Sequence, residues 1–322
     1  MVGGRCSEED YCCYGQDHQH RKVTTTTMKR ILTFALALLF VWGASAQKTI
    51  SFEGADETVR LWDNTTAKHS NYETRDEKWK RKDSFCQTSS CELYIFKAAE
   101  GKNTGIAIAM YPGGSYTNEN LQVSVAQWYA SVGITAVLVK YRLPNFGHNE
   151  ATLEDAMGAV RYLRTRTDLG IDPAKVGVMG SSAGGHLASW VSNAMPDGEK
   201  PAFAIFHYAW INLLKSRSSA ADKALKQLLG NEYTMQDTID LSTHHMVSAT
   251  TSPTLLLLSD DDALVPSVDA ADYYAALVRH GVKASMHIYP FGGHSVKKHT
   301  AEYQVAVIEW LKYLGLISNT KK

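Results

Sequence analysis

From residue 93 onward the chain alternates two kinds of hydrophobic patterning. Short runs that are apolar at nearly every position fall at 93–96, 106–110, 135–139, 176–179, 202–208, 254–258 and 284–288, which is the mark of strands buried on both faces. Between most of them, apolar positions recur at helical spacing, over 121–131, 153–166, 183–193, 268–280 and 303–314. Strands and helices in this alternation predict an α/β fold, a mostly parallel central sheet with helices on both faces. Two regions break the pattern. Residues 65–84 are polar and charged and read as a surface segment ahead of the sheet. Residues 211–251 hold one predicted helix, 221–229, stopped by Gly230, and read as an insertion able to wall a site but too small for a separate cap domain.

A different pattern lies near the start. Met28-Lys29-Arg30 is a short basic beginning, residues 31–42 are almost wholly apolar, and Ala44-Ser45-Ala46 fits a small-residue cleavage site. That order predicts a secretory signal peptide over 28–46, with the apolar run shorter than the roughly 20 residues of a membrane span. Export, to the periplasm or outside the cell, and no stable membrane association after cleavage are the corresponding expectations. Residues 1–27, with acids, Cys6, Cys12, Cys13 and four consecutive threonines, fit neither a signal nor a fold and read as a disordered or non-native leader. Residues 47–322 then form a single domain, in which Cys86 and Cys91 are the only cysteines; an oxidising compartment leaves a short-loop disulfide and two separate thiols both open.

Composition adds bounds. With 44% hydrophobic and 20% charged residues the chain can bury a sizeable core. Thirty-three basic residues balance thirty-three acidic ones, so no overall field selects nucleic acid or an anionic surface.

The candidate chemistry begins at the run 176–179. It leads directly into Gly180-Ser181-Ser182-Ala183-Gly184 and then a helical pattern. This is G-x-S-x-G in the setting its mechanics require, a strand turning sharply into a helix with the central serine at the turn. A serine hydroxyl needs a base to take its proton, so Ser182 as nucleophile demands an acid and a histidine later in the chain. Asp260-Asp261-Asp262 follows the strand at 254–258, at the sheet edge where open parallel sheets bind ligands. Asp262, the last of the three, is the candidate acid and Asp261 the alternative; Asp260 reads as a solvated loop residue. His294 follows the last strand in Tyr289-Pro290-Phe291-Gly292-Gly293-His294, where glycines let the loop fold back over the edge. His186, His207 and His287 fall inside predicted elements instead. Donors for a developing oxyanion are expected from the backbone N–H of Ala183 and from the loop Pro112-Gly113-Gly114 after the strand at 106–110.

Taken together, YPGGSY at 111–116, YRLP at 141–144, DAMGAVRYLR from Asp155, IDPAKVGVMGSSAGGHLAS from Ile171, DDALVP from Asp261 and IYPFGGHS from Ile288 resemble the α/β-hydrolase superfamily. Within it the chain is most similar to acetyl-xylan-esterase-like and hormone-sensitive-lipase-like serine esterases. The resemblance spans nearly all of 93–314. It implies the α/β-hydrolase fold with a small cap or none, Ser182 as acylated nucleophile, His294 as base and then acid, Asp262 as its orienting partner, and Gly113, Gly114 and Ala183 as oxyanion donors. It implies no metal and no organic cofactor. Pro112 stands where the lipase-like branch usually has histidine, and Ser115 where a third glycine is frequent; both departures favour the carbohydrate-esterase-like branch. His186 reads as a structural residue of the helix after the turn. The implied substrate is a small-molecule or carbohydrate ester, with a short acyl group such as acetyl on a plant-type saccharide.

Two rival readings remain. A prolyl-oligopeptidase-like peptidase shares the sheet and the residue order. The stretch from Gln47 to the first clear strand is about the length of one propeller blade, roughly 40 to 45 residues, where such peptidases carry several. A non-catalytic binding protein on a hydrolase fold is the other, because fold does not guarantee chemistry.

Overall fold

The computed structural model describes residues 52, 54–81, 83–214 and 219–318; the predicted leader and signal segment lie outside the described residues. In chain order the elements are β1 (Glu57–Asp63), β2 (Lys78–Arg81), β3 (Ser84–Cys86), β4 (Ser90–Phe96), β5 (Ala107–Tyr111), β6 (Glu119–Asn120), α1 (Val123–Ser131), β7 (Thr135–Lys140), α2 (Asn149–Thr165), β8 (Val176–Ser181), α3 (Ala183–Ala194), β9 (Ala204–His207), α4 (Ser219–Leu229), α5 (Met235–Asp240), β10 (Thr254–Ser259), α6 (Ser267–Arg279), β11 (Ala284–Tyr289) and α7 (Thr300–Tyr313).

Eight strands form one sheet in the order β1-β4-β7-β5-β8-β9-β10-β11. β1 and β4 run antiparallel to their neighbours and all later pairings are parallel. β4, β5, β7, β8, β9 and β10 are buried at every position, as expected of strands covered on both faces. Alternate residues divide between two cores. Leu93, Ala109, Val137, Val178, Phe206 and Leu256 belong to a cluster that includes Val160, Leu187 and Leu277 of α2, α3 and α6. Tyr94, Ile108, Leu138, Met179, Ile205 and Leu257 are equally buried but lie outside that cluster. They face the layer of α1 and α7, which meet where Trp128 packs edge-on to Tyr303 at 6.1 Å. The period of two along a strand thus sorts one continuous apolar run onto two helix layers.

The connections place the site. β5 passes through α1 to β7 on one side, whereas β8 passes through α3 to β9 on the other. The carboxyl ends of β5 and β8, in register at Tyr111 and Gly180, therefore flank a topological switch point, where the diverging loops leave a crevice.

Three findings correct the sequence reading. The sheet begins earlier than residue 93, with β1 as a half-buried edge strand whose ETVRLWD alternation is a period-two signal. The polar region 65–84 is not simply surface: it contains β2 and leads into β3, and with β6 these make a separate three-stranded antiparallel ribbon. The insertion 211–251 holds a second helix, α5, started by a capping box between Thr234 and Asp237. Cys86 and Cys91 form no disulfide, and both are buried.

Candidate active site

The sharp turn that the sequence places at Ser182 is present. Ser182 has φ 54° and ψ −123°, a left-handed conformation that a residue with a Cβ adopts only where its surroundings hold it. Its N–H donates to the His207 carbonyl at 3.1 Å, and its carbonyl accepts from His186 at 3.0 Å and Trp210 at 3.1 Å. The flanking glycines are sterically required. A Cβ on Gly180 would stand 2.0 Å from the Gly184 carbonyl oxygen, and one on Gly184 would stand 2.0 Å from the Tyr111 oxygen. Helix α3 thereby abuts the end of β5.

The turn points the Ser182 hydroxyl at a ring nitrogen. Ser182 Oγ lies 2.8 Å from His294 Nε2, and His294 Nδ1 lies 2.7 Å from Asp262 Oδ2. The Asp262 side chain is fully buried, and its other oxygen accepts backbone N–H bonds from Leu264 at 2.9 Å and Val265 at 3.0 Å. Burial alone would raise this carboxyl. The hydrogen bonds from His294 and from the Val265 and Leu264 N–H groups outweigh it and hold Asp262 below the ordinary carboxylate range. An ionised acceptor at Nδ1 fixes the proton there and leaves Nε2 with its lone pair towards Ser182.

The three acids separate into distinct positions. Asp261 is exposed and its Oδ1 accepts the Gly293 N–H at 2.7 Å, bracing the loop that carries His294. Asp260 accepts from the Ser267 hydroxyl at 2.9 Å. Of the three, Asp262 alone meets the histidine.

The loop after β5 approaches from the other side of the crevice. Gly113 pairs with Asn120 across an isolated bridge, and the Tyr141 hydroxyl donates to the Pro112 carbonyl at 2.7 Å. The Gly114 carbonyl accepts from Thr117 and Asn118. Among the described residues no protein acceptor takes the N–H of Gly114 or Ala183, so both donors remain available to a ligand oxygen.

Three contributions were not legible in the chain. Tyr208, just past β9, packs edge-on against the His294 ring at 4.7 Å and accepts from Gln122 Nε2 at 3.1 Å. His186, fully buried, joins the loop to the helix: its Nδ1 lies 2.7 Å from the Tyr116 hydroxyl and its Nε2 lies 2.7 Å from the Leu241 carbonyl. A carbonyl only accepts, so Nε2 carries the proton and Nδ1 accepts from Tyr116. Burial holds this imidazole neutral, with its pKa lowered to about 4. The third contribution is the wall of the cavity over Ser182, which has a volume of 1430 Å³ and is bounded on its far side by Trp79, Arg81 and Asp83 from the ribbon and by Phe52. None of the described residues of 211–251 lines it. The expected wall is replaced because α4 packs its Leu225 and Leu228 into the core on the α2 and α3 side instead. Among the described residues no group of three or more His, Cys, Asp or Glu side chains is disposed to hold a metal ion.

Known proteins place this arrangement. Residues 145–315 match the model of the prolyl oligopeptidase family. The chain is 35% identical over 200 residues to an acetylxylan esterase of Xylanibacter ruminicola, covering 59% of this chain and 41% of that protein. It is 25% identical over 228 residues to an acylamino-acid-releasing enzyme of Arabidopsis thaliana, covering 65% of this chain and 30% of the other. It thus matches less than half the length of these curated relatives. The crystal structure of an acetyl ester-xyloside bifunctional hydrolase from Caldicellulosiruptor lactoaceticus superposes with a TM-score of 0.65 at 31% identity, covering 71% of this chain and 90% of that one. With a crevice at the switch point of a mostly parallel sheet, a strained serine at its centre and a family match over more than half its length, the chain belongs to the prolyl oligopeptidase family, on the α/β-hydrolase fold.

Proposed function

We propose that this protein is a serine ester hydrolase that removes a short acyl group, acetyl in the first instance, from a saccharide. The observation that carries the reading is the unbroken series Ser182–His294–Asp262, at 2.8 and 2.7 Å, beside two backbone N–H groups with no protein acceptor. In this reading Ser182 Oγ attacks the ester carbonyl carbon while its proton passes to His294 Nε2. The carbonyl oxygen becomes an oxyanion held by the N–H group of Ala183 and by those of the Gly113-Gly114 loop. Collapse breaks the bond to the alcohol, which leaves with the proton from His294. Water repeats the sequence on the acyl-enzyme and releases the acid. Asp262 keeps the proton on Nδ1 and offsets the charge of the imidazolium. Every step uses groups of the chain itself.

The relatives suggest the substrate class: one is named an acetylxylan esterase and another an acetyl ester-xyloside bifunctional hydrolase. The test is acetate release from acetylated xylo-oligosaccharides, with Ser182→Ala beside it. Loss of release in the variant is expected. Wild-type protein that cleaves p-nitrophenyl acetate but no acetylated saccharide would retain the esterase and remove the sugar.

A peptidase reading is favoured by the prolyl oligopeptidase family match and by the similarity to an acylamino-acid-releasing enzyme, and Ser182-dependent cleavage of a proline-containing or N-acetylated amino-acid anilide would establish it. Covalent labelling of Ser182 by a fluorophosphonate in the folded protein would rule out the non-catalytic alternative. Export is part of the proposal, resting on the basic, apolar and small-residue order of residues 28–46; mature protein beginning at Gln47 in the culture medium or periplasm is the expected finding.

A further inference from the structure

We propose that the ribbon β2–β3–β6 is the binding site for the alcohol half of the ester, and that its occupant is a neutral oligosaccharide packed on Trp79 and hydrogen-bonded by Arg81 and Asp83. This rests on the ester-hydrolase reading of Ser182. A cavity of 1430 Å³ exceeds the roughly 300–1,000 Å³ of a typical small-ligand site, and an acetyl group fills a small part of it. The remainder belongs to what the acetyl is attached to.

The ribbon fixes where that group lies. Gly113 pairs with Asn120, Asn120 with Ser84, and Ser84 with Arg81. Three strand spacings of about 4.8 Å put the Arg81 backbone roughly 14 Å from the oxyanion loop. A monosaccharide bearing the scissile acetyl does not span that distance, whereas a short oligosaccharide does. Because the same ladder carries Gly113, the ribbon is built onto the catalytic loop and is held in register with it.

Its chemistry fits a sugar. Trp79 is 42% exposed although large and apolar, and it is supported by Phe85, fully buried, at a ring separation of 3.8 Å, and by Phe52 at 5.9 Å. A held indole at a cavity wall offers an apolar surface to the C–H groups of a pyranose. Arg81 and Asp83 line the same wall and, among the described residues, their side chains make no hydrogen bond or ion pair. By contrast Arg60, Arg142 and Arg166 are all paired with carboxylates. One unpaired donor group and one unpaired acceptor, of opposite charge, suit hydroxyls on a neutral ligand. An anionic chain would meet Asp83, and a lipid alcohol offers neither side chain hydroxyls to bond along the chain.

The experiment measures kcat/KM for acetylated xylose and for acetylated xylo-oligosaccharides of two, three and four residues, with p-nitrophenyl acetate as the substrate that cannot reach the ribbon. Wild-type protein should gain about tenfold from the monosaccharide to the tetrasaccharide, and Trp79→Ala should abolish that gain when each value is taken relative to p-nitrophenyl acetate turnover of the same protein. Arg81→Ala, which leaves the aromatic cluster intact, should reduce the gain by severalfold, and it decides the matter if Trp79→Ala fails to fold. Independence of chain length in the wild type, or its persistence in both variants, overturns the site. Binding of unacetylated xylotetraose to Ser182→Ala, followed by tryptophan fluorescence and lost with Arg81→Ala, tests the ribbon without catalysis. Failure of p-nitrophenyl acetate cleavage to depend on Ser182 would instead overturn the ester-hydrolase reading.

Discussion

Replacing Asp262 by asparagine changes one atom of the carboxyl, and the structure dictates which. Oδ1 of Asp262 receives two backbone N–H bonds, from Leu264 and Val265, so the amide oxygen must take that place. The amide NH₂ then faces His294 Nδ1, at present 2.7 Å from a carboxylate oxygen. A donor there forces Nδ1 to accept, which moves the ring proton to Nε2, aimed at Ser182 Oγ 2.8 Å away. In that tautomer the histidine cannot take the serine proton. The expected loss is about 10⁴ in kcat, or about 5 kcal/mol of transition-state stabilisation, with the fold kept because the side chains are isosteric. The assay is steady-state hydrolysis of p-nitrophenyl acetate, with thermal unfolding to show that the variant is folded. Asp261→Asn is the paired control: its oxygen only braces the Gly293 N–H, an amide oxygen accepts the same bond, and the loss should stay within about tenfold. A folded Asp262→Asn protein with kcat within tenfold of wild type would show that Asp262 does not set the histidine tautomer, and a larger loss for Asp261→Asn would transfer the role to that residue.

Further outcomes follow from the same geometry. Tyr116→Phe removes the hydroxyl that ties the proposed oxyanion loop to His186 and should lower kcat by about tenfold with little change in KM, because donors displaced there would act on the transition state; a raised KM at constant kcat would assign the pair to substrate binding instead. Gly184→Ala drives a Cβ to 2.0 Å from the Tyr111 oxygen and should cost about 3 kcal/mol or more of stability, read as a lowered denaturation midpoint; an unchanged midpoint would mean that α3 does not abut β5 as described. His207 is buried, which lowers its pKa from the ordinary 6.5 to about 3. The unfolded chain therefore binds the extra proton between those values, so the stability contribution is complete above about pH 6.5 and lost as pH falls towards 3. Between pH 7.5 and 5 this amounts to about 2 kcal/mol. Glu119, whose carboxyl burial holds well above its usual range, acts in the opposite direction, so the comparison is with His207→Leu. The acid-induced loss in urea unfolding should shrink by about 2 kcal/mol in that variant, and an identical loss in both proteins would refute it.

Most of what local signals carry was legible in the chain, although the alternation of β1 and the capping box of α5 were passed over. Strands apolar on both faces announced a parallel sheet between helix layers, glycines around Ser182 announced a turn too tight for side chains, and acids and a histidine after the last strands fell on the sheet edge that the turn shares. Each of these is a property of a few consecutive residues: periodicity, conformational freedom, or position after a strand. Three-dimensional packing settled which of Asp261 and Asp262 meets His294, since adjacent loop residues differ in nothing but the direction their side chains take. It also decided that Cys86 and Cys91 remain unbonded to each other, that α4 packs into the core rather than over the crevice, and that Tyr116 and His186, 70 positions apart, hold the two halves of the candidate oxyanion site together. The ribbon is the clearest case. Lys78, Trp79, Lys80 and Arg81 are all exposed and show no alternation, because β2 has no buried face; it exists through pairing with β3, and β3 through pairing with β6. Cross-strand pairing depends on partners distant in the chain, and it leaves no period in either segment for a reader of one segment to find.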